Sequence, residues 1–455
     1  MKLNPNIFRE YDIRGVAGKD LTRESARLIG GATATYELDH GKRRITLARD
    51  CRLSSPELHA GFLEGALATG LDIVDIGMCP TPLLYFSIRH HHADGGVMIT
   101  GSHNPPEDNG FKICRGTDSV YGIEIQKLLR IAEEETFRRG EGKRTEAEII
   151  PPYQDYVAEN IKIARPLRVV VDAGNGMGGE VAAPLFERLG LEVKALFCEP
   201  DGRFPNHHPD PSEEKNLVDL KREVLESKAD VGIAYDGDAD RIGVVDEKGN
   251  TIWGDMLLIV LARELLRHKP GATIISEVKA SQNLYDDIAA HGGRPIMWKT
   301  GHSLIKQKMK EEGAELAGEM SGHIFFADRY FGFDDAIYAS CRLLELLSNE
   351  KRPLSALLSD VPPTHATPEI RVSCPDEEKF DIVRRLREQL PRIAPEARVI
   401  DVDGVRAVFP DGWALVRASN TGPVLVLRFE AQTPERLQAI RALFEESLAQ
   451  LQSNP

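Results

Sequence analysis

Three stretches of the chain repeat one rhythm, and that rhythm limits the folds open to it. An apolar, strand-like run is followed by an amphipathic stretch of 10–15 residues, then by further strand-like runs. The first stretch holds "RRITLARD" (43–50), "LDIVDIG" (71–77) and "GGVMIT" (95–100). The second holds "LRVVVDAGNG" (167–176), "LEVKALF" and "ADVGIAYD" (229–236), and the third holds "ATIISEV" (272–278), "RPIMWKT" and "AELAGEM". Strands alternating with helices of this length predict parallel sheets joined by crossover helices. The tail breaks the rhythm. "DGVRAVF", "GWALVRAS" and "PVLVLRFEA" lie too close together for crossovers and precede one amphipathic helix, "PERLQAIRALFEESLAQLQ". We therefore expect three similar α/β domains and a smaller C-terminal α+β domain with an antiparallel sheet. Charged or Pro-rich joints place them at 1–147, 148–250, 251–364 and 365–455, a division that suits a chain of 455 residues.

Four short motifs stand where strands end. In "MITGSHNPPEDNGFKI" (98–113), Ser102 follows a buried run and precedes Pro105, Pro106, Asn109 and Gly110. Those residues hold an irregular loop, so the hydroxyl is free for a nucleophile or a phosphate carrier. An ordinary loop serine is the plainer reading. In "YDGDADR" (235–241), alternate side chains of an extended segment would bring Asp236, Asp238 and Asp240 together. Three crowded carboxylates call for a cation, and an all-oxygen set suits Mg²⁺ before zinc. An EF-hand is excluded because Arg241 stands where glycine is needed. An aspartyl phosphatase with Asp236 as nucleophile stays open.

"GEMSGH" (318–323) offers Glu319, Ser321 and His323, a mixture suited to pairing sugar hydroxyls, or to a simple loop cap. "RASNTGP" (417–423) offers Arg417, Ser419, Asn420 and Thr421 as a phosphate nest, with Arg428 one strand later. "DAGNGMGG" matches G-x-G-x-x-G at Gly174, Gly176 and Gly179, with Glu199 at the distance of a ribose partner. Its alternative is a tight strand-to-helix turn. "HHH" (90–92), "NHHPDP" (206–211) and "RRGEGKRTEAE" (138–148) read as a solvated helix end, a loop and a solvated linker.

Charge and cysteine usage narrow the partners. With 71 acidic against 57 basic residues the formal charge is −14, so nucleic acid and anionic membranes are repelled and an anionic substrate needs a local basic pocket. The six cysteines are scattered without a C-x-x-C pair, which points to a reducing compartment and to neither a disulfide framework nor a zinc site. The start "MKLNPNIFREYDIRG" lacks a signal-peptide core and no run approaches the ~20 apolar residues of a membrane span. A cytoplasmic protein is expected.

In order and spacing, "YDIRG" (11–15), "TGSHNP", "DGDADR", "GEMSGH" and "RASNTGP" resemble the α-D-phosphohexomutases of the bacterial phosphomannomutase/phosphoglucomutase type, over essentially the whole chain. The resemblance implies four domains around a central cleft. It implies that Ser102 carries a phosphoryl group and that Mg²⁺ is held by Ser102, Asp236, Asp238 and Asp240. The sugar loop falls on Glu319, Ser321 and His323, and the phosphate loop on Arg417, Ser419, Asn420 and Thr421, with Tyr11 and Arg428 added to the substrate set. Arg14 and Arg241 would bracket the phosphoserine. His103, Lys112, Lys279 and His302 are the candidates for proton handling. The implied reaction converts hexose 1-phosphate to hexose 6-phosphate through a hexose 1,6-bisphosphate, which also serves as activator, in a monomer. Under this resemblance the glycine motif is a turn and Asp236 a ligand. Met320 favours the glucose/mannose branch over the phosphoglucosamine branch, which usually has glutamine there.

Overall fold

Each of the four motifs lies at the connection between two consecutive antiparallel strands, the last two beginning in the final residues of the first strand. Gly95–Ile99 and Asp108–Arg115 flank the serine loop, and Val231–Tyr235 and Ile242–Asp246 flank the aspartate loop. Leu316–Gly318 and Ile324–Phe326 flank the glutamate loop, and Gly412–Ala418 and Val424–Ala431 flank the last. The computed structural model describes residues 3–420 and 422–453.

The chain divides into two units, one running to Glu264 and including Glu315–Ser359, the other formed by Leu265–Ala314 and Asp360 onward. In the first unit, Arg44–Arg49 lies between Gly95–Ile99 and Asp72–Met78, all parallel. Asp108–Arg115 and Ile13–Val16 then extend the sheet antiparallel. Likewise Arg168–Asp172 pairs parallel with Glu192–Leu196 and Val231–Tyr235, before Ile242–Asp246 turns back. The expected parallel sheets are therefore mixed. A crossover needs a helix, whereas the motif segments are only long enough for a hairpin. Arg144–Glu146, inside the expected linker, adds a parallel strand beside Asp72–Met78.

Helix Arg23–Asp39 opens with a capping box between Thr22 and Ser25 and packs on Ser55–Leu67. At Gly65 the backbones approach so closely that a Cβ would lie 1.9 Å from the Arg27 carbonyl oxygen. Leu28, Phe62, Val97, Ile99, Phe111 and Leu128 form the core beneath, each fully buried apolar side chain stabilising by ~1.5–3 kcal/mol.

In the second unit, Thr273–Glu277 and Arg294–Trp298 are parallel, and the tail strands form the expected antiparallel sheet covered by helices Asp376–Ile393 and Pro434–Ser453. No helix among the described residues is long and apolar enough to cross a membrane.

Candidate active site

Ser102 is buried and its backbone is left-handed, with φ of 50°. That conformation costs a non-glycine residue on the order of 1–2 kcal/mol, so other contacts must impose it. Its N–H donates to Thr100 Oγ1 at 2.8 Å, and its hydroxyl donates to Asp236 Oδ2 at 2.9 Å, with His103 Nδ1 3.2 Å away. Burial, then the charges of Arg241 and Arg14, push the His103 imidazole well below its usual pKa, leaving it neutral.

The three aspartates converge by a tight turn and not by extended alternation. Asp236 Oδ1 accepts from the N–H groups of Asp240 and Arg241, both at 3.1 Å, and Ala239 takes φ of 56°. One carboxylate oxygen from each of Asp236, Asp238 and Asp240 lies within 4.8 Å of the others, and all three side chains are buried. Lys112 Nζ donates to Asp238 at 2.7 Å and to Asp240 at 2.5 Å, and Thr81 Oγ1 also donates to Asp238. Burial works against the ammonium, but the two carboxylates outweigh it and raise the Lys112 pKa, so it stays a cation. Burial and then its two neighbouring carboxylates raise Asp236, whereas Lys112 overcomes burial and keeps Asp238 ionised. Lys112 and Arg241, which lies in electrostatic reach of Asp236 and Asp240, are two cations for three carboxylates, so negative charge is still left to be met. Asp238 Oδ1 and Asp240 Oδ1 are buried with no hydrogen-bond partner among the described residues, so the donor set fits a hard divalent cation.

The glutamate loop joins this cluster through Arg241. Its Nε donates to His323 Nε2 at 3.0 Å, which makes that nitrogen the acceptor, and His323 Nδ1 lies 3.2 Å from Asp334. Ile242 N donates to Gly322 O at 3.0 Å, and Gly322 has a φ of 97° that a side chain would resist. Glu319 is buried, whereas Ser321 is half-buried. Arg14 donates to Asn104 Oδ1 at 2.7 Å and to Asp12 at 2.6 Å, which sets it on the serine loop. Tyr11 is half-buried just before that strand.

The remaining predicted residues lie in the second unit. Asp403 accepts from Arg417 Nε and from Thr300 N, both at 3.0 Å, tying the arginine to the turn that precedes His302. His302 is the first residue of helix His302–Glu312. Lys279 pairs with Glu369 at 3.2 Å, and Arg428 donates to the Lys279 carbonyl. Ser419 is buried, Asn420 follows it at the turn, and Thr421 lies outside the described residues.

Several groups escaped the sequence reading. Lys379 Nζ donates to the carbonyls of Ser419, at 2.6 Å, and Gly422, at 3.1 Å, and so holds the last loop from beneath. Arg52, Thr81, Asp334 and Asp403 were also missed, although Arg52 follows the strand-end aspartate in "ARDCR", where a D-x-R pattern was available. The glycine motif is taken up by protein. Met177 N donates to Gly237 O at 2.9 Å, and a Cβ at Gly176 would lie 2.7 Å from that same oxygen. It buttresses the aspartate loop. In "NHHPDP", His207 Nε2 pairs with Asp172 at 3.0 Å.

Models of the phosphoglucomutase/phosphomannomutase α/β/α domains I, II and III match residues 5–139, 151–249 and 253–365, and the C-terminal domain model matches 369–447. The chain belongs to the phosphoglucomutase/phosphomannomutase family. It is 47% identical to a phosphomannomutase/phosphoglucomutase of Pseudomonas aeruginosa over 99% of this chain and 97% of that protein. It is 46% identical to a phosphoglucomutase of Neisseria gonorrhoeae over the same shares. A crystal structure of a phosphoglucomutase/phosphomannomutase family protein from Burkholderia thailandensis matches with a TM-score of 0.94 at 42% identity, covering 99% of both chains. A structure of a putative phosphomannomutase from Thermus thermophilus, at 22% identity and a TM-score of 0.83, shares the fold. Each of the family's four domains supplies one of the four hairpin loops described above.

Proposed function

We propose that this protein is a phosphohexomutase that interconverts hexose 1-phosphate and hexose 6-phosphate of glucose, mannose or both. Ser102 carries the phosphoryl group, and a hexose 1,6-bisphosphate is intermediate and activator. The observation that carries this reading is the Ser102 hydroxyl hydrogen-bonded to Asp236 inside a buried aspartate cluster.

In the first half-reaction the bond from phosphorus to Ser102 Oγ breaks and one to the free hydroxyl of the sugar monophosphate forms. The sugar hydroxyl proton passes to neutral His103, 3.2 Å from the Ser102 oxygen, and from there to that oxygen as it leaves phosphorus and returns to the hydroxyl form. Lys112, held as a cation, is suited to charge neutralisation rather than proton abstraction. Arg14 and Arg241 offset charge on the transferring group. Asp236, Asp238, Asp240 and the phosphorylated Ser102 would hold Mg²⁺, which when bound supplies Lewis-acid stabilisation of phosphoryl transfer. The bisphosphate then presents its other phosphate to Ser102, and the reverse transfer completes the cycle. We assign Glu319, Ser321, His323 and Tyr11 to the sugar, and Arg417, Ser419, Asn420, Thr421 and Arg428 to the non-reacting phosphate. Lys279 and His302 are assigned to the sugar and proton-transfer end. Six free cysteines support placing the reaction in the cytoplasm, and the resemblance to the phosphohexomutases is the ground for reading the working form as a monomer.

Against an aspartyl phosphatase, Asp236 already accepts two backbone N–H groups on one oxygen and Ser102 on the other. The test supplies glucose 1-phosphate and mannose 1-phosphate with Mg²⁺ and a trace of glucose 1,6-bisphosphate while following free phosphate. The expected result is isomerisation with little phosphate release, and an intact-mass increment of one phosphoryl group that disappears in Ser102→Ala. Steady phosphate release without isomerisation would move the nucleophile to Asp236.

A further inference from the structure

The Arg52 side chain is fully buried, yet its charge is met chiefly by backbone carbonyls of one short loop. Nη2 donates to Ser102 O at 2.7 Å and to Asn104 O at 2.6 Å, while Nη1 donates to Asp108 O at 3.0 Å and to Pro105 O. Asp50 Oδ2 pairs with Arg52 Nε at 3.3 Å and accepts from Gly101 N of the same loop at 3.2 Å, while Oδ1 accepts from Arg52 N at 3.0 Å and from Ser55 Oγ. A Cβ at Gly101 would lie 2.5 Å from the guanidinium carbon. The guanidinium carbon lies over the ring of Phe204, 5.2 Å from its centroid.

A guanidinium is costly to bury, and its planar fork is what allows one side chain to reach four acceptors. The grip includes the carbonyl of Ser102 itself, whose left-handed backbone needs outside support. With its carbonyl drawn inward to Arg52, the residue turns its hydroxyl to Asp236. We propose that Arg52 is a positioning residue for phosphoryl transfer: it holds the serine loop so that the Ser102 oxygen stays aligned with the aspartate cluster. This rests on the reading of Ser102 as the phosphoryl carrier.

Arg52→Lys keeps the charge and loses the fork, so it separates geometry from electrostatics. Four readouts are needed on the full-length enzyme with Mg²⁺: kcat, KM for glucose 1-phosphate, Ser102 phosphorylation by intact mass, and the rate at which phosphoserine is lost to water. The expected result is a kcat lowered roughly 10- to 100-fold per folded molecule, with KM within about threefold and a phosphoserine lifetime changed by about tenfold. In Arg52→Ala, millimolar guanidinium should restore part of kcat. A kcat and phosphoserine lifetime within about threefold of the parent in Arg52→Lys would overturn the proposal, whatever the melting temperature does, because a purely structural arginine affects how much enzyme folds. If Arg52→Ala does not fold, the lysine variant decides alone. A parent enzyme with no phosphate on Ser102 under turnover would instead sink the carrier reading, and the two failures are distinguishable.

Discussion

Gly237 meets Ser102 so closely that a Cβ at position 237 would lie 2.4 Å from the Ser102 carbonyl oxygen. The aspartate loop and the serine loop are thus in backbone contact, and the glycine sets their spacing. Gly237→Ala must push one loop away. We expect a loss of about 1–3 kcal/mol in stability, read by chemical denaturation, and a fall in kcat of at least tenfold. Parent-like turnover would show that the spacing is slack.

Lys112 is the cation that Asp238 and Asp240 share. Lys112→Met leaves buried carboxylates uncompensated, a change that typically costs about 3–5 kcal/mol. Saturating Mg²⁺ should raise the melting temperature of the variant more than that of the parent, because the added ion meets the charge the lysine no longer does. Equal shifts in both proteins would mean that the ion binds elsewhere.

Glu37 is buried in the first helix, with neither carboxyl oxygen hydrogen-bonded among the described residues. Burial raises its pKa to about 7. Its unfolded-state pKa is lower, so folding favours the protonated form, and this stability is lost as pH rises through about 7. Glu37→Gln removes that dependence. The variant should match the parent near pH 4.5 and exceed it by ~1–3 kcal/mol at pH 8, as measured by urea unfolding at both pH values.

Asp403 fixes both Arg417 and the backbone at Thr300. In Asp403→Asn the arginine loses its charged anchor. KM for the hexose phosphate should rise about tenfold with kcat less affected, since under the proposed function Arg417 holds the non-reacting phosphate and not the reacting centre. Steady-state kinetics on both sugar phosphates separate the two parameters.

The strands, the helices and the antiparallel tail were legible because burial imposes periods of two and 3.6 residues on a sequence. Ser102 and the aspartates were legible for another reason: polar residues clustered at strand ends have no packing role to explain them. What stayed hidden is contact between distant segments. Nothing in the local sequence shows that Arg52 reaches the carbonyl of Ser102, or that Lys379 lies beneath Ser419. A buried arginine met chiefly by backbone carbonyls shows in the sequence only through its one carboxylate partner, Asp50. The parallel core strands were legible, but the antiparallel strand after each of the first three motifs was missed for a related reason: apolar runs carry no sign of strand polarity, and only the shortness of each motif segment required a hairpin.

That arrangement has an effect on how such a protein can change. The chain enters and leaves each functional loop through neighbouring, hydrogen-bonded strands, with the crossover helices placed elsewhere. A residue gained, lost or exchanged at a loop tip therefore displaces only the tip, while the register of the paired strands absorbs none of it. Under the proposed function, selectivity for a sugar can drift at the glutamate loop while phosphoryl transfer at the serine loop stands still. The scaffold behaves as a chassis with four separately serviceable fittings.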